Sequence, residues 1–250
     1  MKKSSYPEQE YRVVESVQDV HWWFQGRKRL ISHFLKSAVK GKSSYIEIGC
    51  GTGYLLDILH GFPGIAVSGI DMHEKSIEIA KKRCASARIF KATVEELGEE
   101  VFDTIGIFDV LEHIENDQDV IKQLSKHLKT GGYMLVTIPQ HQWLFSDADQ
   151  AAGHFRRYSR KKIRRLLVDA GFKVIFATSF VSFPLPAMWF KRVFQRSTSD
   201  NVFSWEEELK VGRVANGVLN MTSVLEYLLI RLRVSFPVGG SLFLLCRKAS

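Results

Sequence analysis

With 250 residues, 45% of them apolar and 25% charged, the chain has the size and balance of a soluble globular protein that buries a sizeable core. Its three cysteines, Cys50, Cys84 and Cys246, are too few and too far apart for a disulfide framework or a zinc spacing, which fits a reducing cytoplasm. The net charge of +8 is concentrated: Arg156, Arg157, Arg160, Lys161, Lys162, Arg164 and Arg165 fall within ten residues, a surface for nucleic acid, anionic lipid or a phosphorylated substrate, or else a solvated helix face.

In chain order, residues 1–8 lack an apolar core, so no secretion leader is expected. Residues 8–40 read as helical around His21-Trp22-Trp23-Phe24-Gln25-Gly26-Arg27. Three adjacent aromatics cannot share one helix face, so some must reach another element, pinning this helix to the main body, or a ligand. A short apolar strand, Tyr45 to Ile48, runs into Gly49-Cys50-Gly51-Thr52-Gly53. Tyr54, Leu55, Ile58 and Leu59 then follow helical spacing until Gly61 and Pro63. A second strand, Ile65 to Ile70, closes on Asp71. A helix over 74–83, a strand over 88–92 and a strand over 104–108 come next.

A helix over 117–129 is expected to stop at Gly131-Gly132, followed by a strand from Tyr133 to Ile138. Ser159 can cap a helix that buries Ile163, Leu166, Leu167 and Ala170 before Gly171, and a sixth strand covers 173–178. The longest uncharged run, Val174 to Phe190, contains Pro184 and Pro186 and falls short of a membrane span; it reads as a core strand followed by an irregular apolar loop. The strand–helix rhythm stops over 182–237, where an amphipathic stretch spans Trp205 to Arg233, and resumes in a last strand, Ser241 to Cys246. The alternation over 44–178 calls for a parallel sheet with helices on both faces, a Rossmann-like α/β fold that the last strand brings to seven strands. The division that follows is an N-terminal helical cap (1–40), a core (41–181), an apolar and basic helical insertion (182–237) and the last core strand (238–250).

Ligands of open parallel sheets bind beyond the carboxyl ends of the strands. Here those ends carry Glu47 with the glycine turn, Asp71 and Asp109. The turn is G-x-G-x-G rather than the G-x-G-x-x-G of dinucleotide sites, which favours S-adenosylmethionine over NAD. Asp71 lies 18 residues after Gly53, an offset at which a carboxylate can accept bonds from ribose hydroxyls.

Glu47-Ile-Gly-Cys-Gly-Thr-Gly53, Asp71, Asp109-Val-Leu-Glu-His-Ile114 and Gly131-Gly-Tyr-Met-Leu-Val-Thr-Ile-Pro139 together resemble the class I S-adenosylmethionine-dependent methyltransferases, in the branch of quinone-biosynthesis and related small-molecule enzymes. His21-Trp-Trp-Phe-Gln-Gly-Arg27 and His154-Phe-Arg-Arg-Tyr-Ser159 are similar to a bacterial subgroup associated with glycan, lipid or secondary-metabolite gene sets. The resemblance implies that Gly49, Gly51 and Gly53 pass under the methionine part of the cofactor and that Glu47 precedes that turn. It implies that Asp71 binds the ribose, that Met72 lies against the adenine, and that the Val94 loop contacts the adenine edge. Thr93 departs from the Asp common at its position. Asp109 and Val110 would line the methionine side, and His21, Trp22 and Arg27 would cover the cofactor from the N-terminal helix, with Arg27 facing its carboxylate.

Methyl transfer needs alignment more than chemistry, and a base only where the acceptor loses a proton. His154 is the leading candidate base, ahead of His113 and His141, because it lies where substrate loops gather. No metal site is read: Asp147 and Asp149 near His141 lack further identifiable ligands. The expected function is methyl transfer to oxygen of a small-molecule, glycan-linked or lipid-linked acceptor. Peripheral contact with an anionic membrane at its inner face is suggested by the basic segment and by Lys191, Arg192, Arg196, Arg231 and Arg233 around the insertion. RNA as substrate is disfavoured, since no aromatics interleave with the basic run. A non-catalytic cofactor-binding role is the reading from a different class.

Overall fold

Seven strands make one sheet in the computed structural model, which describes residues 10–59, 61–195 and 205–249. They are β1 (Ser43–Ile48), β2 (Ile65–Asp71), β3 (Arg88–Lys91), β4 (Phe102–Phe108), β5 (Leu128–Pro139), β6 (Phe172–Phe180) and β7 (Ser241–Lys248), in the order β3-β2-β1-β4-β5-β7-β6. The first five run parallel. β7 lies antiparallel between β5 and β6, so β6 runs the same way as the first five; the strands within 44–178 are parallel, as their alternation predicts, and the last strand makes the sheet mixed. The direction of a last strand depends on how the preceding connection returns, and no residue pattern encodes that.

Alternate residues of the central strands face opposite layers. Tyr45, Phe108, Leu135, Phe243 and Leu245 pack on one side, and Ile46, Ile48, Ile105, Ile107, Met134, Val136, Leu242 and Leu244 on the other. The first side is covered by α2 (Trp22–Ala38) and α3 (Glu74–Arg83), the second by α4 (Asp117–His127) and α6 (Arg160–Asp169). On α6 the buried Ile163 and Leu167 lie four residues apart, and Ser159 accepts a hydrogen bond from Lys162 N at 3.1 Å, as its capping spacing predicts.

The reading of 8–40 as one helix resolves into α1 (Glu10–Val17) and α2, with residues 8 and 9, like the expected absence of a leader over 1–8, outside the described residues. The break is at His21, whose backbone is extended and whose Nδ1 accepts from Trp23 N–H at 3.3 Å. After the glycine turn a single 3-10 turn, Leu56–Leu59, stands in place of a helix. Tyr54 and Leu55 are buried within the turn itself. α4 ends at His127 and β5 starts at once, running through Gly131 and Gly132, so those glycines do not end the helix.

The apolar segment after β6 forms α7 (Leu185–Gln195), where an irregular loop was expected. Pro186 is tolerated because the first-turn N–H groups of a helix have no intrahelical partner. A short α5 (Asp147–Ala151), α8 (Trp205–Leu209) and the long α9 (Arg213–Arg231) complete the helices named here. α9 lies along α2. Asn216 Oδ1 accepts from Trp22 N–H at 2.9 Å and its Nδ2 donates to Val20 O at 3.0 Å. Arg29 donates to Asn220 and Ser223, each at 3.2 Å.

Candidate active site

The carboxyl ends of β1, β2 and β4 converge on the glycine turn. Gly49 and Gly51 take φ of +69° and +53°, a region that costs side-chain-bearing residues free energy. A Cβ on Gly49 would lie 2.5 Å from Val110 Cγ2, whereas one on Gly51 would meet no atom within 4 Å. Gly51 N–H donates to Asp71 Oδ2 at 2.9 Å, and His73 N–H donates to Asp71 Oδ1 at 2.9 Å. Asp71 thus ends β2 and fixes the turn that leaves β1. Thr52 Oγ1 donates to the buried Gln18 Oε1 at 2.8 Å, tying the turn to the N-terminal segment.

Glu47 lies under the turn, 2% exposed, accepting a hydrogen bond from Tyr45 OH at 3.2 Å. Burial raises its carboxyl to about 8, a rise that the nearby Arg27 only partly offsets. Asp109, just past β4, takes a φ of +55°, which Asp tolerates better than most residues. Its Oδ2 accepts from Thr137 Oγ1 at 3.0 Å and meets Arg27 Nε at 2.8 Å, while Arg27 also donates to Phe108 O at 3.1 Å. Arg27 is therefore held on Asp109 at the end of β4. Phe24 meets the turn edge-on at Tyr54, with 6.2 Å between ring centroids. Trp22 instead lines a narrow crevice between α2 and α9 with Trp23, Phe180, Val181 and Glu226. Met72 is exposed beyond β2. Val94 is buried in the 3-10 turn Val94–Leu97, where Thr93 N–H donates to Glu96 Oε2 at 2.7 Å.

Three candidate bases separate. His141 stacks on Trp143, with centroids 5.0 Å apart. His113 and His154 meet edge-to-face at 4.6 Å, one turn beyond Asp109. His154 Nδ1 is 2.8 Å from Asp149 Oδ1, and the same carboxylate accepts from Arg157 Nε at 2.8 Å and Ser146 N–H at 2.9 Å. Burial alone would raise Asp149, but the His154 hydrogen bond and the Arg157 guanidinium outweigh it and hold the carboxyl at about 2. Burial, with help from His154, lowers His113 to about 3 and keeps its ring neutral.

Glu112, 1% exposed, is pushed well above the ordinary carboxyl range by burial and by Asp109. Its Oε2 has no hydrogen-bond partner among the described residues. One ligand-capable atom each of Glu112, His113 and His154 lies within 4.8 Å of the others, a grouping the sequence reading did not assemble. Asp147 and Asp149, considered together from sequence, belong instead to the first turn of α5, where Asp149 caps Ser146.

The His154–Ser159 segment is stitched to this corner. Phe155 N–H donates to Glu112 O at 2.8 Å, Arg156 pairs with Asp117 at 2.9 Å, and Tyr158 OH donates to Asp117 Oδ2 at 2.7 Å. Two of the seven basic residues, Arg156 and Arg157, are therefore spent on internal carboxylates. Lys161, Lys162, Arg164 and Arg165 remain on the exposed face of α6. Sequence reasoning missed the roles of Asp149, Gln18 and Asn216. Only Asp149 carried a signal, a Ser146-x-x-Asp149 capping spacing five residues before His154.

Residues 16–176 match the family model of a methyltransferase domain. The chain is 30% identical over 141 residues to a malonyl-[acyl-carrier protein] O-methyltransferase of Priestia megaterium, covering 52% of each chain. It is 31% identical over 101 residues to a ubiquinone biosynthesis O-methyltransferase of Rickettsia conorii, covering 38% of this chain and 35% of that one. The match thus spans about half of the first relative's length and about a third of the second's. Among solved structures, Haemonchus contortus phosphoethanolamine N-methyltransferase 2 in complex with S-adenosyl-L-methionine superposes with a TM-score of 0.59 at 16% identity, over 90% of this chain and 53% of that one. The fold, the glycine turn with its carboxylate and the extent of the family match lead to one assignment: the chain belongs to the methyltransferase domain family, the S-adenosylmethionine-dependent methyltransferases of Rossmann-like fold.

Proposed function

We propose that the chain transfers the methyl group of S-adenosylmethionine to an oxygen of a small-molecule acceptor, free or carried on a lipid or glycan. The observation that carries this reading is the bond between Gly51 N–H and the Asp71 carboxylate, which sets a ribose-binding group beside a turn that admits a ligand against bare backbone. On this reading Gly49, Gly51 and Gly53 lie under the methionine part, Asp71 takes the ribose, and Met72 and Val94 flank the adenine. Asp109 and Val110 border the methionine side, and Glu47 supports the turn from beneath. Arg27 acts through Asp109, to which it is paired, more directly than on the cofactor's carboxylate. Trp22 contributes by anchoring α2 on α9.

The acceptor reaches the corner beyond Asp109. Its oxygen lone pair attacks the methyl carbon as the carbon–sulfur bond breaks, that electron pair returning to sulfur to leave S-adenosylhomocysteine. Where the acceptor is a hydroxyl, its proton passes to His154 Nε2, whose ring Asp149 orients through Nδ1. The two O-methyltransferase relatives support oxygen as the accepting atom. The test is calorimetric binding of S-adenosylmethionine to the wild type and Asp71→Ala, followed by an acceptor screen reading S-adenosylhomocysteine. Binding that survives Asp71→Ala unchanged refutes the ribose placement.

Contact with an anionic membrane is supported by α9. Val214, Val218, Met221, Leu225, Leu228 and Leu232 are exposed at alternating spacings of four and three, with Arg231 and Arg233 exposed at the end of the stripe. Arg196 and the side chains of Lys191 and Arg192 fall outside the described residues. No described helix is long and apolar enough to cross a membrane. Sedimentation with phosphatidylglycerol vesicles is expected to capture the wild type and release Met221→Glu/Leu225→Glu. Equal capture of both discards the contact.

A further inference from the structure

We propose that Glu112, His113 and His154 form a binding site for one divalent transition-metal ion, of the Zn²⁺ or Mn²⁺ type, at the end of β4. This goes beyond the methyl-transfer reading and stands on the geometry alone.

Three observations converge. A ligand-capable atom of each residue lies within 4.8 Å of the other two. An ion about 2.1 Å from each of three tetrahedral ligands holds them about 3.4 Å apart, so closure asks for side-chain movements of no more than about 1.4 Å between groups that are already neighbours. Second, Glu112 is 1% exposed, yet its Oε2 has no partner among the described residues. A buried carboxylate oxygen left unpaired is costly, and the two guanidiniums whose charge acts on Glu112 are paired elsewhere: Arg27 with Asp109 and Arg157 with Asp149, each at 2.8 Å. A cation completes that oxygen.

Third, His154 carries the outer support that metal-binding imidazoles have. Its Nδ1 is bonded to Asp149, which fixes the ring plane and leaves Nε2 as the nitrogen it could offer an ion. Asp149 is held in turn by Arg157 and by Ser146 N–H. The ligands come from two loops that Phe155 N–H and Glu112 O clamp together, so the site is assembled without an ion to gather it.

One carboxylate with two imidazoles favours borderline ions over Mg²⁺ or Ca²⁺, which prefer oxygen-rich shells. Three protein ligands also leave coordination positions for water or for an oxygen of the acceptor, and the two histidines are only partly buried, so those positions open outward. With an ion bound, His154 Nε2 holds the metal instead of a proton, and polarising an acceptor oxygen becomes the ion's task.

The test uses the full, untagged chain after chelator treatment, titrated by calorimetry with Zn²⁺, with Mn²⁺ and with Mg²⁺. Binding of S-adenosylmethionine is measured on the same samples, so that loss of fold or of the cofactor site is seen separately. One Zn²⁺ or Mn²⁺ per chain is expected, with Mg²⁺ at least tenfold weaker. Glu112→Gln and His154→Ala should each weaken binding by more than tenfold, and Asp149→Asn by about 10–100-fold, while His141→Ala leaves it unchanged. Should Glu112→Gln not fold, His154→Ala carries the same expectation from the more exposed side. Cobalt substitution adds a spectroscopic check: visible absorption bands of nitrogen and oxygen ligation in the wild type that His154→Ala removes. The site is overturned if the wild type binds no Zn²⁺ or Mn²⁺ at millimolar concentration, if binding persists in both ligand variants, or if His141→Ala abolishes it.

Discussion

Gly49 and Gly51 stand two residues apart in the same turn, yet alanine at each should fail for a different reason. At Gly49 the left-handed backbone costs a side-chain-bearing residue about 1–2 kcal/mol. The added Cβ also falls 2.5 Å from Val110 Cγ2. Val110 is β-branched and its Cβ is only 3.6 Å away, so turning χ1 exchanges one methyl for another, and overpacking of this kind adds about 1–3 kcal/mol. Gly49→Ala should therefore lose about 3 kcal/mol, or about 6–12 °C in Tm for a domain of this size. At Gly51 only the backbone term applies, about 1–2 kcal/mol and about 2–8 °C, while the methyl enters open space that the proposed placement gives to the cofactor. Urea unfolding without ligand and calorimetry with S-adenosylmethionine separate the two effects. Gly49→Ala is the stability variant; Gly51→Ala stays folded and loses affinity. Val110→Ala in the Gly49→Ala background should recover about 1 kcal/mol beyond additivity. The reasoning is refuted if Gly51→Ala binds as well as wild type, or if the two glycine variants unfold at the same urea concentration.

Other outcomes follow from contacts described above. Removing Asp71 strands the N–H groups of Gly51 and His73, so Asp71→Ala should lower stability by about 1–3 kcal/mol in thermal denaturation even without cofactor. Glu47 binds its proton more tightly folded, near 8, than unfolded, near 4.5. The stability it contributes is complete below the unfolded value and drains away as pH rises through 8, at up to about 1.4 kcal/mol per unit. Urea midpoints at pH 5 and pH 9 should thus differ less in Glu47→Gln than in the wild type, and parallel profiles would discount the buried carboxyl. Tyr158→Phe deletes a fully buried hydroxyl that serves Leu111 O and Asp117, with an expected cost of about 1–3 kcal/mol by urea unfolding. Asn216→Ala should destabilise by about 1–2 kcal/mol and speed hydrogen exchange at Trp22 N–H, reporting release of α2 from α9.

The sheet was legible because its strands announce themselves. Ile46 and Ile48, Ile105 and Ile107, or Val136 and Ile138 are apolar runs that end on glycine, aspartate or proline. The positions of the turn and of Asp71 were legible for the same reason, since each closes an apolar strand, and the structure bonds Gly51 N–H to Asp71. Long-range pairings left no such trace. Nothing near Trp22 in sequence points to Asn216, and nothing in Glu112-His113 points to His154, because those contacts depend on how loops far apart in sequence are brought back together. Local periodicity also misled where tertiary demands took over: Tyr54 and Leu55 keep helical spacing inside a turn whose conformation is set by Gly51 and Gly53. The basic run looked like a surface for partners, but Arg156 and Arg157 answer buried carboxylates that the linear sequence places 39 and 8 residues earlier.

Among the described strands, β7 is the one that joins β6 to the rest of the sheet. Until it is in place, β5 is left with an open edge and β6 has no strand to pair with, only a bridge from Ser179 to Phe236. On the ribosome the half of the domain built on β1 to β4 can close while the half beyond β5 waits for the residues from 241 onward, presenting bare strand edges throughout. The α9 helix that clamps α2 emerges only shortly before. The glycine turn near residue 50 is therefore written long before Asn216, the α9 residue that fixes α2 at Trp22, and the sheet's closing seam is made later still.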